Sequence, residues 1–217
     1  MATVLSIMDR NSWSARTDNI AVVSVKDRSV TLIPRDLFSF RVDDRINTVM
    51  GIGGHALFFK CLQDYGFPVN QGICLLPEAT AKALATMTLE VPVEKEETFL
   101  YPNSPLEPIH LKNKIIKFSP PKETLSGERI HQWLGARIHP DWQGSDLDRL
   151  RRQIVFTRCL IRAGFDFRKF LEFQESLKST GDQALGEIRE VREDWKFSIY
   201  DHVRHWTVNG KQVLVPA

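Results

Sequence analysis

The chain has 217 residues, of which 42% are hydrophobic and 26% charged, so it is long enough for a buried core and has the balance of a soluble globular protein. Its formal net charge is only +2, which gives bulk electrostatics no case for nucleic acid. No apolar run reaches the ~18 residues that a membrane helix needs.

Met1–Arg10 is too short and polar for a signal peptide and reads as a first strand over Thr3–Met8. Asn19–Val25 is a continuous β-branched run, the mark of an internal strand. After the turn Asp27-Arg28-Ser29, Val30–Ile33 forms its antiparallel partner and Pro34 stops it. Ile46–Gly54, with Asn47 and three glycines, reads as a loop entering a helix over His55–Tyr65, which Gly66 ends. Gln71–Leu76 is another strand. Pro77 opens a helix over Ala79–Met87, proline being tolerated in a first turn. Residues 88–125 hold six prolines and an acidic run, Glu94 to Glu97, and read as extended edges and loops with one short strand at Lys114–Phe118. Helices follow at Ser126–Leu134, Leu147–Ala163, Phe167–Lys178 and Leu185–Trp195. Asn209-Gly210 between alternating runs predicts a type I′ hairpin in the tail. Interleaved strands and helices predict an α/β layered sandwich, and the early hairpin makes its sheet mixed. One domain over 1–217 is expected, with a core over about 3–180 and an extension over 181–217.

Cys61, Cys74 and Cys159 are widely spaced in apolar surroundings and read as buried free thiols; no CxxC or HExxH pattern suggests structural zinc. The chemistry lies elsewhere. Arg16-Thr17-Asp18 precedes one strand of the hairpin and Pro34-Arg35-Asp36 follows the other, so Asp18 and Asp36 share a sheet edge. Two such carboxylates repel unless a cation or proton intervenes, and an oxygen-only pair favours Mg²⁺ held together with substrate phosphates. The plainer reading is two turn aspartates paired with neighbouring arginines. Arg45-Ile46-Asn47 leads into Gly51-Ile52-Gly53-Gly54, where backbone N–H groups can approach an anion. Arg137 precedes a helix on which Asp146, Arg149 and Gln153 share a face with Arg152 beside them. Guanidinium forks match phosphate oxygens, although a solvated basic face would give the same pattern. The interleaved acids and small net charge argue against a nucleic-acid partner.

These motifs, in this order, resemble the LytR-CpsA-Psr family. They are Arg16-Thr-Asp-Asn-Ile20, Ile33-Pro-Arg-Asp36, Arg45-Ile-Asn47 with Gly53-Gly54, Leu125-Ser-Gly-Glu128, Arg137, and Gly144-Ser-Asp-Leu-Asp-Arg-Leu-Arg-Arg-Gln153. The resemblance implies a three-layer α/β/α sandwich with a mixed central sheet. It also implies a phosphotransferase that takes a glycopolymer from a polyprenyl-pyrophosphate carrier and attaches it to peptidoglycan or a related acceptor. Asp18, Arg35, Asp36 and Arg149 are then expected in catalysis. Arg16, Arg45, Asn47, Arg137, Asp146, Arg152 and Gln153 are expected to bind substrate, and Asp18 and Asp36 to hold Mg²⁺. The polyprenyl tail would need an apolar slot, with Phe58, Phe59, Leu62 and Leu84 as candidates and equally ordinary core residues. The family works on the outer face of the cytoplasmic membrane, which implies peripheral membrane contact; no export signal is visible in the chain. Where the family usually has a second arginine two residues before Arg137, this chain has Gly135. That departure raises an alternative, a catalytically reduced module that binds or hydrolyses polyprenyl (pyro)phosphate.

Overall fold

The computed structural model describes residues 2–8, 16–102, 114–141, 146–172 and 181–217. In chain order the first elements are β1 (Ala2–Met8), β2 (Thr17–Ser24), β3 (Ser29–Leu32), β4 (Phe38–Ser39), β5 (Asp44–Arg45), α1 (Val49–Gln63), β6 (Val69–Leu75) and α2 (Pro77–Leu84). Then come β7 (Thr88–Pro92), β8 (Glu97–Tyr101), β9 (Lys114–Phe118), β10 (Lys122–Ser126), α3 (Glu128–Gly135) and α4 (Asp146–Arg162). The last are α5 (Lys169–Glu172), α6 (Gly181–Arg189), β11 (Lys196–Ile199), β12 (Val203–Val208) and β13 (Lys211–Pro216). They divide into two compact units, Met1–Ala83 with Asp166–Ala217, and Leu84–Phe165.

The first unit is built on a five-stranded sheet in the order β11-β3-β2-β1-β6. β1–β2 and β2–β3 are antiparallel while β1–β6 and β3–β11 are parallel, so the sheet is mixed, as the early hairpin predicts. Alternation along β1 makes the layers, because successive side chains leave a strand on opposite faces. Ala2 and Val4 join Phe58, Cys61 and Leu62 of α1 in one buried cluster. Thr3, between them, donates through Oγ1 to Glu187 Oε2 of α6 at 2.5 Å and accepts from Gln71 Nε2 at 2.8 Å. Helices therefore cover both faces, the α/β/α arrangement expected. β12 and β13 form the predicted tail hairpin, with Asn209 at φ 49° and Gly210 at φ 73°.

Gly72 pairs with Val4, and a Cβ there would lie 2.4 Å from Val4 Cγ1 and 3.1 Å from Phe59 Cε1. Only a bare backbone lets α1 sit this close to β6. Gly72→Val is expected to lower unfolding free energy by about 1–3 kcal/mol through overpacking. Urea denaturation measures this; a variant as stable as wild type would refute the close approach.

Two helix starts differ from the sequence reading. Ile46–Gly54 is not a loop: Ile46–Thr48 is a 3-10 turn and α1 runs from Val49. It tolerates its glycines by kinking, with Gly53 at φ −148°, ψ 19° and Gly54 at φ 61°, ψ −162°. The helix expected at Leu185–Trp195 instead occupies Gly181–Arg189. Of the helix expected at Phe167–Lys178, α5 covers Lys169–Glu172 and residues 173–178 lie outside the described residues.

In the second unit, the stretch 88–125, read as extended edges and loops with one strand at Lys114–Phe118, holds two antiparallel ladders; β9 is that expected strand, and β7, β8 and β10 are additional. β7 pairs with β10, and β8 with β9. Phe99, Phe118, Leu125, Ile130, Trp133 and Leu150 fill its core. Phe118 meets the Trp133 ring edge-on at 4.8 Å, a favourable arrangement for aromatic quadrupoles.

Candidate functional site

The hairpin delivers the first group of candidates. β2 and β3 pair as Ala21↔Leu32, and the Ile33 N–H extends the ladder by donating to Ile20 O at 2.9 Å. Asp18 therefore comes opposite Arg35, whose Nη1 donates to Asp18 Oδ1 in a close ion pair. These side chains are 13% and 27% exposed, so the pair is sheltered but reachable. One residue on, Asp36 Oδ1 meets Arg45 Nη1 at 3.4 Å. Each carboxylate of the predicted couple thus carries a guanidinium from another segment, which relieves their mutual repulsion.

A folded-back chain aims Arg45. The Ile46 N–H donates to Leu37 O at 2.6 Å and the Asn47 N–H to Arg35 O at 3.2 Å. Thr48 Oγ1 then ties off the turn by donating to Arg45 O at 2.8 Å. Asn47 is buried, and its Oδ1, Arg45 Nε and Thr17 Oγ1 are buried atoms without a hydrogen-bond partner. Folded proteins leave few such atoms, and a water or ligand is one thing that completes them. Arg45 Nε and the Thr17 hydroxyl supply donors, as an oxyanion requires. Thr17 is a residue the sequence reading missed; its signal is its place between Arg16 and Asp18. Arg16 lies exposed just before β2.

Asp18 and Asp36 are the pair the sequence assigned to Mg²⁺. Among the described residues no group of three or more His, Cys, Asp or Glu could hold a metal. Both are hard-oxygen donors of the type that Mg²⁺ takes together with substrate phosphate, but each faces an arginine, the plainer reading of the sequence.

In the second unit, α4 starts with Asp146 and Asp148, favourable beside the positive end of a helix dipole. Arg149 is 1% exposed, and its Nε and Nη2 both reach Asp146 Oδ1 at 2.8 Å. Arg152 points into the core. Its Nε donates to Trp133 O at 3.2 Å, its Nη2 to Ala136 O, and its Nη1 to Glu97 Oε2 at 3.3 Å. Its guanidinium lies 4.4 Å from the centre of the Phe99 ring. Trp133 returns a bond from Nε1 to Arg152 O at 3.0 Å, and Gln153 Nε2 donates to Leu134 O at 3.0 Å.

Arg152 and Gln153 thus serve the last carbonyls of α3, which no intrahelical N–H can reach. A cation there also complements the negative end of that helix. Burial pulls the Arg152 guanidinium down to about 10, against the opposing pull of Glu97, so it stays charged at neutral pH. Glu97 was not singled out in the sequence because it sits in an acidic run that reads as a loop. Arg137 is half-buried just beyond α3. A Cβ on Gly135 would lie 3.5 Å from the Tyr101 hydroxyl.

The first unit thus brings Asp18, Arg35, Asp36, Arg45 and Asn47 together. The second places Asp146, Arg149, Arg152 and Gln153 along one buried helix face, with their polar groups engaged by Glu97, by one another and by the end of α3.

The chain belongs to the LytR-CpsA-Psr family: the LytR_cpsA_psr family model matches residues 5–209. Among solved structures, TagT bound to LI-WTA is 19% identical with a TM-score of 0.67, over 99% of this chain and 83% of that one. The Bacillus subtilis protein TagU is 14% identical with a TM-score of 0.57, over 100% of this chain and 90% of its own. TagT with bound octaprenyl pyrophosphate lipid is 16% identical with a TM-score of 0.60, over 99% and 82%. Identities this low establish a shared fold. No curated protein matches the chain.

Proposed function

We propose that this protein is a cell-envelope phosphotransferase, moving a glycopolymer from a polyprenyl-pyrophosphate carrier to peptidoglycan or a related acceptor on the outer face of the membrane. The observation that carries the reading is the doubled acid–arginine arrangement, Asp18–Arg35 and Asp36–Arg45, beside the partnerless buried atoms Arg45 Nε, Thr17 Oγ1 and Asn47 Oδ1. The octaprenyl pyrophosphate and LI-WTA held by TagT supply the substrate class. No described helix is long and apolar enough to cross a membrane.

In the reaction an acceptor hydroxyl attacks the phosphorus that bears the polymer. A new P–O bond forms, the bond to the bridging oxygen of the diphosphate breaks, and polyprenyl monophosphate leaves. Arg35 and Arg45 bring two guanidiniums to the diphosphate, Arg45 through its Nε, and stabilise charge on the departing phosphate. One carboxylate of the Asp18/Asp36 couple takes the hydroxyl proton. Mg²⁺, when bound by that couple, supplies further neutralisation of the diphosphate.

The test is to incubate purified protein with a polyprenyl-pyrophosphate-linked saccharide, a peptidoglycan fragment and Mg²⁺. The expected result is polyprenyl monophosphate and a phosphodiester-linked product, both lost on chelation with EDTA. A second reading, the module that only binds or hydrolyses the lipid, is favoured by Gly135. Binding or hydrolysis without transfer to the fragment would establish it. Absence of any binding would overturn both.

A further inference from the structure

The tail hairpin has an edge that the proposed reaction does not use. A type I′ turn joins Val208 to Lys211 through the N–H of Lys211, so this flanking pair is hydrogen-bonded. Bonded and non-bonded pairs alternate along an antiparallel ladder. With Thr207↔Gln212 and His205↔Leu214 as the next alternate pairs, Gln212 and Leu214 turn their N–H and C=O groups away from β12.

That outer edge lies against the segment carrying Asp36 and Arg45. Gln212 O accepts from Arg45 Nη2 at 2.5 Å, and the Leu214 N–H donates to Asp36 O at 2.9 Å. Leu37 and Leu214 form a parallel bridge. Lys211 Nζ donates to Asp44 Oδ2 at 2.9 Å. Burial alone would raise the Asp44 pKa, yet the Lys211 ammonium, the Arg45 N–H and the nearby positive charges hold it below the usual carboxylate value. Beneath these polar contacts Val213 and Val215 pack with Phe38 in a small core of their own. The family match ends at residue 209, and all of these contacts come from beyond it.

Resting on the phosphate-handling reading above, we propose that the outer edge of β13 is a positioning element for the Asp36–Arg45 pair. The Gln212 carbonyl fixes one arm of the Arg45 fork and the Leu214 N–H fixes the backbone of Asp36. Arginine is long and rotamer-rich, and restraining it before the diphosphate arrives removes an ordering cost from binding. Arg45 Nε is then held in place for ligand.

Leu214→Pro tests this, because it deletes one N–H that points away from β12 and so spares the hairpin ladder. Binding of octaprenyl pyrophosphate in detergent should weaken about tenfold, and Arg45→Ala on that background should add little, the non-additivity expected of coupled groups. Lys211→Met should give a smaller loss that Lys211→Arg restores. Amide exchange over residues 36–47 should quicken in Leu214→Pro and Lys211→Met while β2 and β6 keep their protection. Unchanged affinity together with unchanged exchange over 36–47 would overturn the positioning role. If Leu214→Pro does not fold, the Lys211 pair decides by the same two readouts. A wild-type protein that fails to bind the lipid would overturn the proposed function instead, and exchange over 36–47 would still judge the hairpin.

Discussion

Arg35→Ala is expected to lower the rate of polyprenyl monophosphate release by about 10²–10³-fold, the usual loss when one preorganised donor to a developing anion is removed. Arg35 is anchored by Asp18 on the neighbouring strand and only 13% exposed, so its fork is already directed before ligand binds. The substitution also takes from Asp18 the guanidinium that it meets across the hairpin. Arg35→Lys keeps the charge and loses the planar fork, so it should recover part of the rate but not all. Circular dichroism should show both variants folded. A folded Arg35→Ala protein that transfers at the wild-type rate would remove Arg35 from the reaction.

The largest stability effect is expected at Arg149. Arg149→Met removes the guanidinium that meets the Asp146 carboxylate at 2.8 Å, a side chain 3% exposed, and loss of one partner from a buried pair costs about 3–5 kcal/mol. Replacing both, as Asp146→Leu with Arg149→Met, should return most of that stability, because paired apolar residues need no counter-charge. Urea denaturation of the three proteins gives the comparison. A single variant as stable as wild type yet inactive in transfer would show that Arg149 serves phosphate chemistry and that its bond to Asp146 is incidental to the fold.

Local signals carried much of this architecture. The β-branched run after Asp18, the Asn209-Gly210 turn and the apolar spacing in Leu147–Ala163 each announce an element through residues that are neighbours in sequence. The meeting of Asp18 with the Arg35–Asp36 dipeptide follows from one short hairpin, so it too could be read. What escaped depends on distant partners. β7, β8 and β10 lie among prolines and charges, and only their pairing makes them strands, whereas the apolar Ile115-Ile116 and Phe118 made β9 legible. β11 has no local mark; it exists because β3 offers a free edge. The chemistry around α4 shows the same limit. Helical spacing put Asp146, Arg149 and Gln153 on one face, but it could not say that Trp133, Phe99 and the end of α3 would cover that face. The guanidiniums therefore read as forks for phosphate or as a solvated face, and neither reading included the burial that covers Arg149 and Arg152.

The last strand of the central sheet has a consequence for how the molecule is made. Thr31 of β3 and Ser198 of β11 have hydroxyl oxygens 3.1 Å apart although 167 positions separate them. A ribosome adding about 5–20 residues per second leaves β3 waiting roughly 10–30 s for its parallel neighbour. Throughout that interval its outer N–H and C=O groups stand open to any passing strand. Vectorial synthesis thus makes the nascent chain prone to self-association until its closing segments emerge, and production of this protein should improve with slower initiation or with a holding chaperone that shields that edge.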